Sequence, residues 1–99
     1  MNMQNLMAQA QRMQREITAK KEELEKMEFV GKSEWVEVTF TGARIIKNVK
    51  ITKDGDITSD DKEILEDMFQ IATKDAFIQI NKAMNDKLGQ YAGALDGLM

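Results

Sequence analysis

The sequence predicts an α+β fold in which two long helices enclose a three-stranded antiparallel β-meander, in the order α-β-β-β-α. Three observations predict it. A run rich in β-branched and aromatic residues, Trp35 to Thr52, lies in the middle of the chain. Apolar patterns with the period of an α-helix flank this run on both sides. Gly42 interrupts the run where a tight turn would separate two strands. We therefore expect a β-hairpin at the centre of a single domain spanning residues 1–99.

The composition limits the possible functions. The chain has 99 residues, so it forms one small domain with a modest core that association with a second copy would help to stabilise. It contains no Cys and no His, which argues against structural zinc, thiol nucleophiles and imidazole catalysis. We also find no G-x-S-x-G motif and no phosphate-binding loop. The chain is therefore expected not to be an enzyme and to need no metal, cofactor or small-molecule substrate.

The hydropathy pattern predicts a cytoplasmic protein. No apolar run approaches the roughly 20 residues that span a membrane. The start of the chain, MNMQNLMAQAQ, lacks the basic-then-apolar layout of a signal peptide. We expect no membrane partner.

Charge is segregated along the chain, although the net charge is only −3. Residues 1–53 hold ten Lys/Arg and seven Asp/Glu, a balance of +3, whereas residues 54–99 hold four and ten, a balance of −6. Most of the acidic excess lies between Asp54 and Asp75. Such segregation creates local fields that the net charge does not reveal.

The first helix is predicted from about Asn2 to Met27. Its apolar residues recur at alternating steps of three and four, a heptad-like seam with Lys20 at the one interrupted position: Met3, Leu6, Ala10, Met13, Ile17, Leu24 and Met27. The helix would be about 35–40 Å long, whereas strands of five to eight residues span about 17–26 Å. It must therefore extend past the sheet. The seam, including Met13 and Ile17, is either core packing or a contact with a second subunit.

Three strands are predicted after this helix. The first lies within Glu28 to Glu34, with Gly31 to Ser33 as the turn that follows it. The second begins near Trp35, which we expect to pack at a sheet edge or interface more readily than to stack on a base. Its period-2 pattern predicts a buried face of Val36, Val38 and Phe40. Gly42 is expected to form a turn with positive φ, and the third strand to run from Ile45 to Thr52.

The acidic stretch after the hairpin does not fit a calcium loop. An EF-hand loop that starts at Asp54 needs Gly at its sixth position and Glu at its twelfth, and the chain has Ser59 and Leu65 there. We interpret the stretch as a turn followed by a helix start, with Asp60 and Glu63 as a capping box.

The second long helix is expected from about Asp61 to Leu88, with Ile80 on its buried face. Beyond it, residues 89–99 contain Gly89, Gly93 and Gly97. Glycine at this density opposes helix formation, so we expect a flexible tail.

The two helices also carry candidate DNA contacts. Arg12 and Arg15 share one helix face because they are three residues apart, and Lys20 and Lys21 follow. A second basic segment on the last helix contains Asn81, Lys82, Asn85 and Lys87, interrupted by Asp86. Arg and Lys supply charge for phosphates, and Asn supplies donors. A solvated face with intrahelical ion pairs to Glu16, Glu22 and Glu23 explains the first-helix cations equally well.

Three segments together resemble the YbaB/EbfC family of bacterial nucleoid-associated proteins: NLMAQAQRMQREI, WVEVTFTGARIIKNVKI and DDKEILEDMFQIATKDAFIQIN. The family's N-terminal run is matched by Leu6, Met7, Gln9, Ala10, Gln11, Met13 and Gln14. Its hairpin is matched by Val36, Val38 and Gly42, and its long helix by Leu65, Glu66, Asp67, Asp75 and Ala76. The likeness covers nearly the whole chain, although the turn at 31–34 is shorter and more polar than is common in the family.

The resemblance implies a cytosolic, nucleoid-associated homodimer, shaped like tweezers, that binds double-stranded DNA with helices from both ends of each chain. It selects as the best candidate contacts Arg12, Arg15, Asn81, Lys82 and Lys87, and Lys20, from the basic residues of the first helix, completes the set of six. Because no base-reading module is recognisable, low sequence specificity is expected. The alternative is a protein–protein adaptor that uses the first-helix seam or the acidic helix start and does not bind DNA directly.

Overall fold

A computed structural model describes residues 2–91 and shows the predicted α-β-β-β-α order. The molecule is elongated, with extents of 70 × 19 × 16 Å. None of the helices in the described range is long and apolar enough to cross a bilayer. The elements are α1 (Met3–Lys26), β1 (Glu28–Lys32), β2 (Val36–Thr41), β3 (Ile46–Ile51), a 3-10 turn (Ser59–Asp61), α2 (Lys62–Leu88) and a second 3-10 turn (Gly89–Tyr91). Most of the tail predicted for 89–99 lies outside the described residues.

Helix α1 begins and ends within a residue of its predicted bounds. The Asn2 side chain accepts a hydrogen bond of 2.9 Å from the Gln4 backbone N–H, as an N-cap asparagine does. Only Ile17 and Leu24 of this helix are buried. The apolar seam therefore contributes to the core only in its second half, and Met13 remains 41% exposed.

The sheet is an antiparallel meander in the order β1-β2-β3. Val38 lies opposite Gly31 on one side and Val49 on the other, so these three positions share a face. The predicted alternation in the second strand is confirmed, since Val36, Val38 and Phe40 are buried against the helices.

The first turn lies further along the chain than predicted. Gly31 and Lys32 belong to β1, and the chain turns at residues 33–35, so Trp35 precedes β2. The reason is packing: a Cβ built on Gly31 would overlap the Ala72 carbonyl oxygen of α2 and approach the Ala76 Cβ to 2.8 Å. Gly31 is therefore a point of close strand–helix contact.

The hairpin turn also differs from the prediction. Gly42 does not have positive φ; Arg44 does, with φ 64°. A Cβ on Gly42 would overlap the Leu24 carbonyl oxygen, so glycine is needed at 42 to let the end of β2 approach α1. The three-residue loop 42–44 ends in a left-handed residue, a common hairpin geometry, and here that residue is an arginine.

The core forms where α2 crosses the sheet. Helix α2 presents small residues, Ala72 and Ala76, with Ile80 one turn further on, and all three are fully buried. Small residues let the helix lie close to β1, whose outer edge it also caps: Asp75 accepts from the Lys32 N–H (2.9 Å) and Gln79 donates to the Val30 carbonyl (2.9 Å). The buried cluster is Leu24, Phe29, Val36, Val38, Phe40, Ala72, Ala76 and Ile80.

The capping box predicted at Asp60 and Glu63 lies two residues earlier, at Thr58 and Asp61, on the 3-10 turn that leads into α2. The Asp61 carboxylate, in place of Glu63, reaches back to the N–H of Thr58 (3.0 Å) and also pairs with Lys53 Nζ (2.7 Å). Lys53 lies 4.7 Å from the Trp35 ring centroid, which gives Trp35 the structural role expected of it.

Within residues 2–91 no cluster of His, Cys, Asp or Glu has a geometry that could hold a metal.

Replacing Asp61 with asparagine should reduce stability in a pH-dependent way. The hydrogen bond from Lys53, followed by that from the Thr58 backbone, lowers the pKa of Asp61 below its usual 3.8. A carboxyl group whose pKa is lower in the folded than in the unfolded state stabilises the fold at pH values above its unfolded pKa. This stabilisation is lost as the pH falls through the folded-state pKa. In urea unfolding followed by circular dichroism, the Asp61→Asn midpoint should lie below that of the wild type at neutral pH, and the gap should close in acid. Asp54→Asn, an exposed neighbour, is the control. A gap that is constant with pH would contradict this role.

Candidate nucleic-acid interface

The first half of α1 projects from the body of the protein. All side chains from residue 3 to residue 16 are exposed, and 14 residues at 1.5 Å per residue correspond to roughly 21 Å of helix. We call residues 3–16 the arm. The predicted extension of the first helix past the sheet is therefore present.

The arm carries positive charge without negative charge along most of its length. Residues 1–15 contain Arg12 and Arg15 and no Asp or Glu. Both arginines are exposed, and within residues 2–91 neither makes an ion pair. The other polar side chains between residues 2 and 15 are amides of Gln and Asn, which donate and accept hydrogen bonds. Intrahelical ion pairs therefore do not account for these two arginines in the described part of the chain.

Lys20 and Lys87 lie where α1 meets α2, and both already have partners. Lys20 Nζ is 5.3 Å from the centroid of the Tyr91 ring, and Lys87 is 3.5 Å from the Glu23 carboxylate. Tyr91 also donates a hydrogen bond of 3.0 Å to Glu16. These contacts hold the two helices antiparallel at the base of the arm. Both lysines therefore help to fix the position of the base of the arm.

Burial, and then the Glu16 carboxylate, raise the pKa of the Tyr91 hydroxyl above its usual value of 10.0. The tyrosine is thus a neutral donor at physiological pH, and its bond to Glu16 persists throughout the neutral range.

The basic segment of α2 is less available than the sequence suggests. The Asn81 side chain accepts a 2.6 Å hydrogen bond from Arg44, and the Arg44 guanidinium also lies 5.7 Å from the Phe77 ring centroid. Lys82 is exposed and makes no ion pair within the described part of the chain. Of the six candidate contacts, Arg12, Arg15 and Lys82 are therefore unoccupied among residues 2–91, and the other three are engaged within the chain.

The acidic cluster between positions 54 and 75 is located away from the arm. Eight Asp and Glu and only two Lys lie between positions 54 and 75, in the loop before α2 and along its first half. The hydrogen bond between Tyr91 and Glu16 places the opposite end of α2 at the base of the arm. A polyanion would therefore be repelled from the start of α2 and attracted to the arm.

Sequence reasoning missed Tyr91 and Arg44 as organising residues of this region. One feature of the sequence could have pointed to Tyr91: Lys20 interrupts the apolar seam of the first helix, and a lysine at such a position needs a partner that can accept its charge. Arg44 gave no such signal, because its contacts to Asn81 and to the Phe77 ring join residues that are distant along the chain.

Comparison with known proteins bears on this surface. The model of the YbaB/EbfC DNA-binding family matches residues 1–95. A nucleoid-associated protein of Lactococcus lactis subsp. cremoris is 41% identical over 97 residues, covering 96% of this chain and 97% of the relative. A nucleoid-associated protein of Streptococcus uberis is also 41% identical, with the same coverage of both chains.

Proposed function

Because the chain belongs to the YbaB/EbfC DNA-binding family, we propose that it is a nucleoid-associated protein that binds duplex DNA through its arm. The observation that carries the proposal is the arm itself: a projecting helix with two unpaired arginines among the described residues and no acidic side chain before Glu16. Its physiological location would be the bacterial nucleoid, in the cytoplasm. Membership of a DNA-binding family also agrees with the expectation that the chain is not an enzyme.

Low sequence specificity is part of the proposal. Specific readout generally uses a helix that is held at a defined angle in the major groove by its neighbours. The arm has no neighbour in the described structure that fixes such an angle, and its two cations suit phosphate oxygens. Backbone contacts position a protein on DNA without reading sequence.

A homodimer is the proposed functional form. One arm supplies only two arginines, which is few compared with the six to ten phosphate contacts of many DNA-binding proteins. Two copies double the cations and allow two arms to hold one duplex, as tweezers would. Exposed apolar side chains on β3 and α2, among them Ile46, Ile51 and Ile71, support association. The adaptor alternative gains no support from the family or from its named relatives.

A salt-dependent DNA titration tests the proposal. If a dimer neutralises about four phosphates, log K should fall with log[salt] at a slope of about −3.6. Between 50 and 200 mM salt the affinity for a random duplex should then fall on the order of 100-fold. Mobility shift or fluorescence anisotropy measures this, and duplexes of unrelated sequence should give similar curves. No binding at low salt and micromolar protein would overturn the proposal.

A further inference from the structure

Glu16 is the first acidic residue of α1, and it lies one helical turn from a candidate DNA contact. Arg12 is four residues before it and Lys20 is four residues after it, so both cations lie on the same face of the helix as the Glu16 carboxylate. The residues three positions away on either side, Met13 and Ala19, are uncharged. An isolated helix with this sequence would therefore pair Glu16 with Arg12 or with Lys20.

Neither of these two intrahelical pairs is formed within residues 2–91. The Tyr91 hydroxyl instead donates a hydrogen bond of 3.0 Å to the Glu16 carboxylate. The ring of the same tyrosine lies 5.3 Å from Lys20 Nζ. One side chain from the 3-10 turn after α2 therefore engages both Glu16 and Lys20, and the Arg12 guanidinium remains exposed without an ion pair in the described part of the chain.

The position of Tyr91 does not depend on its hydroxyl alone. The ion pair between Lys87 and Glu23, at 3.5 Å, joins the end of α2 to α1, and the neighbouring Leu88 is buried. Tyr91 follows three residues later, in the 3-10 turn that continues from α2. Its hydrogen bond to Glu16 is exposed to solvent. Removal of the hydroxyl should therefore release the Glu16 carboxylate while the two helices remain packed together.

We propose that Tyr91 is a positioning residue for DNA binding: its hydroxyl holds the Glu16 carboxylate away from Arg12, so that the Arg12 guanidinium stays free for a phosphate. This role rests on the proposed function and deepens it, because it adds a residue that acts without touching the DNA. A carboxylate paired with Arg12 would occupy the same donors that a phosphate uses. The phosphate would then have to displace the carboxylate, which lowers the affinity.

Tyr91→Phe tests this role because it removes the hydroxyl and keeps an aromatic ring beside Lys20. The released Glu16 carboxylate should pair with Arg12, and an ion pair between residues four apart on a helix changes an equilibrium constant by about twofold. The affinity for a random duplex should therefore fall about twofold for each arm, or about fourfold for a protein that binds with two arms. Anisotropy titration at low salt measures this change, and a Tyr91→Phe variant that binds as tightly as the wild type would overturn the proposal.

Two further backgrounds distinguish this role from a purely structural one. Glu16→Gln leaves no carboxylate to release, and Arg12→Ala leaves no guanidinium to occupy, so adding Tyr91→Phe to either variant should not change its affinity for DNA. Glu22→Gln is the matched control, because it removes one negative charge from another face of α1, and Tyr91→Phe should still weaken binding in that background. The same loss of affinity in all four backgrounds would show that Tyr91 acts only on the structure and would overturn the proposal.

The hydrogen bond can also be measured without DNA. Tyr91 is the single tyrosine of the chain, so the ultraviolet absorbance of the phenolate, followed during titration with base, reports this residue alone. Because Glu16 adds to the effect of burial in raising the pKa of Tyr91 above 10.0, Glu16→Gln should move the titration to lower pH, whereas Glu22→Gln should not. An unchanged titration in Glu16→Gln would overturn the contact.

The DNA titration of the wild type separates the two proposals. A wild-type protein that binds no duplex at low salt would overturn the proposed function, and the role of Tyr91 with it. A wild-type protein that binds DNA, together with a Tyr91→Phe variant of equal affinity, would overturn the role of Tyr91 alone.

Discussion

Replacing Gly31 with valine should destabilise the protein by on the order of 3 kcal/mol, a large part of the stability of a domain of this size. Strand propensity alone predicts the opposite sign, since valine favours β-strands and glycine weakens them. The close approach of α2 to residue 31 outweighs the strand propensity of valine and makes the change destabilising. A side chain at position 31 would overlap the Ala72 carbonyl oxygen and come within 2.7 Å of the Ala76 backbone nitrogen. Backbone atoms of a helix cannot move aside as a flexible side chain can.

Urea unfolding followed by circular dichroism measures the effect, and Gly89 supplies the control. A Cβ at Gly89 meets no atom within 4 Å, and the residue has helical φ of −58°. Gly89→Ala should therefore leave stability unchanged or raise it by about 0.4–1 kcal/mol. A Gly31→Val variant as stable as the wild type would show that the sheet and α2 can separate without cost at this point.

Changing Arg12 and Arg15 together to alanine should weaken DNA binding strongly without unfolding the protein. Each arginine offers a charge-assisted hydrogen bond to phosphate worth on the order of 1 kcal/mol, so the pair corresponds to roughly thirtyfold in affinity per arm. The salt slope should also become shallower, by about one for each phosphate that the variant no longer neutralises. Alanine preserves the helix at both positions, and neither side chain is buried.

The hairpin provides the matched comparison. Lys47→Ala/Lys50→Ala removes the same number of exposed cations from β3, far along the chain from the arm. Anisotropy titrations of both double variants at several salt concentrations distinguish the two surfaces. Should the hairpin variant lose affinity while the arm variant does not, the assignment of the arm as the DNA-binding element would be wrong.

Local patterns predicted the elements of the fold because each element repeats its own period. The Val36–Val38–Phe40 alternation placed β2, and the heptad-like seam placed α1. The positions that were predicted incorrectly depend on contacts between distant residues. Gly31 and Gly42 are ambiguous in sequence, since glycine serves turns and close packing alike. Only the position of α2 over β1, and of α1 beside β2, shows that both glycines here permit close contact.

In the candidate site, too, some features follow from the local sequence and others depend on contacts between distant residues. Arg12 and Arg15 could be chosen as candidates from sequence because no acidic residue precedes Glu16 on their helix. Lys87 and Asn81 could not be judged in this way, because their partners, Glu23 and Arg44, are 64 and 37 residues distant. A basic residue is free or occupied according to its tertiary neighbours, which spacing along one helix does not report.

The exposed arm has a thermodynamic consequence for binding. Its backbone hydrogen bonds are all local, and a lone helix of about 12–15 residues is marginally stable in water. Amide hydrogens of residues 3–16 should thus exchange through local opening, at a free energy far below that of global unfolding. A duplex that engages only the helical form must then supply the ordering energy from its own contacts, which lowers the net affinity. Binding of the duplex would in turn slow amide hydrogen exchange in the arm. The exchange rates of this one helix would then report both how well the helix is formed and how much of the protein has DNA bound.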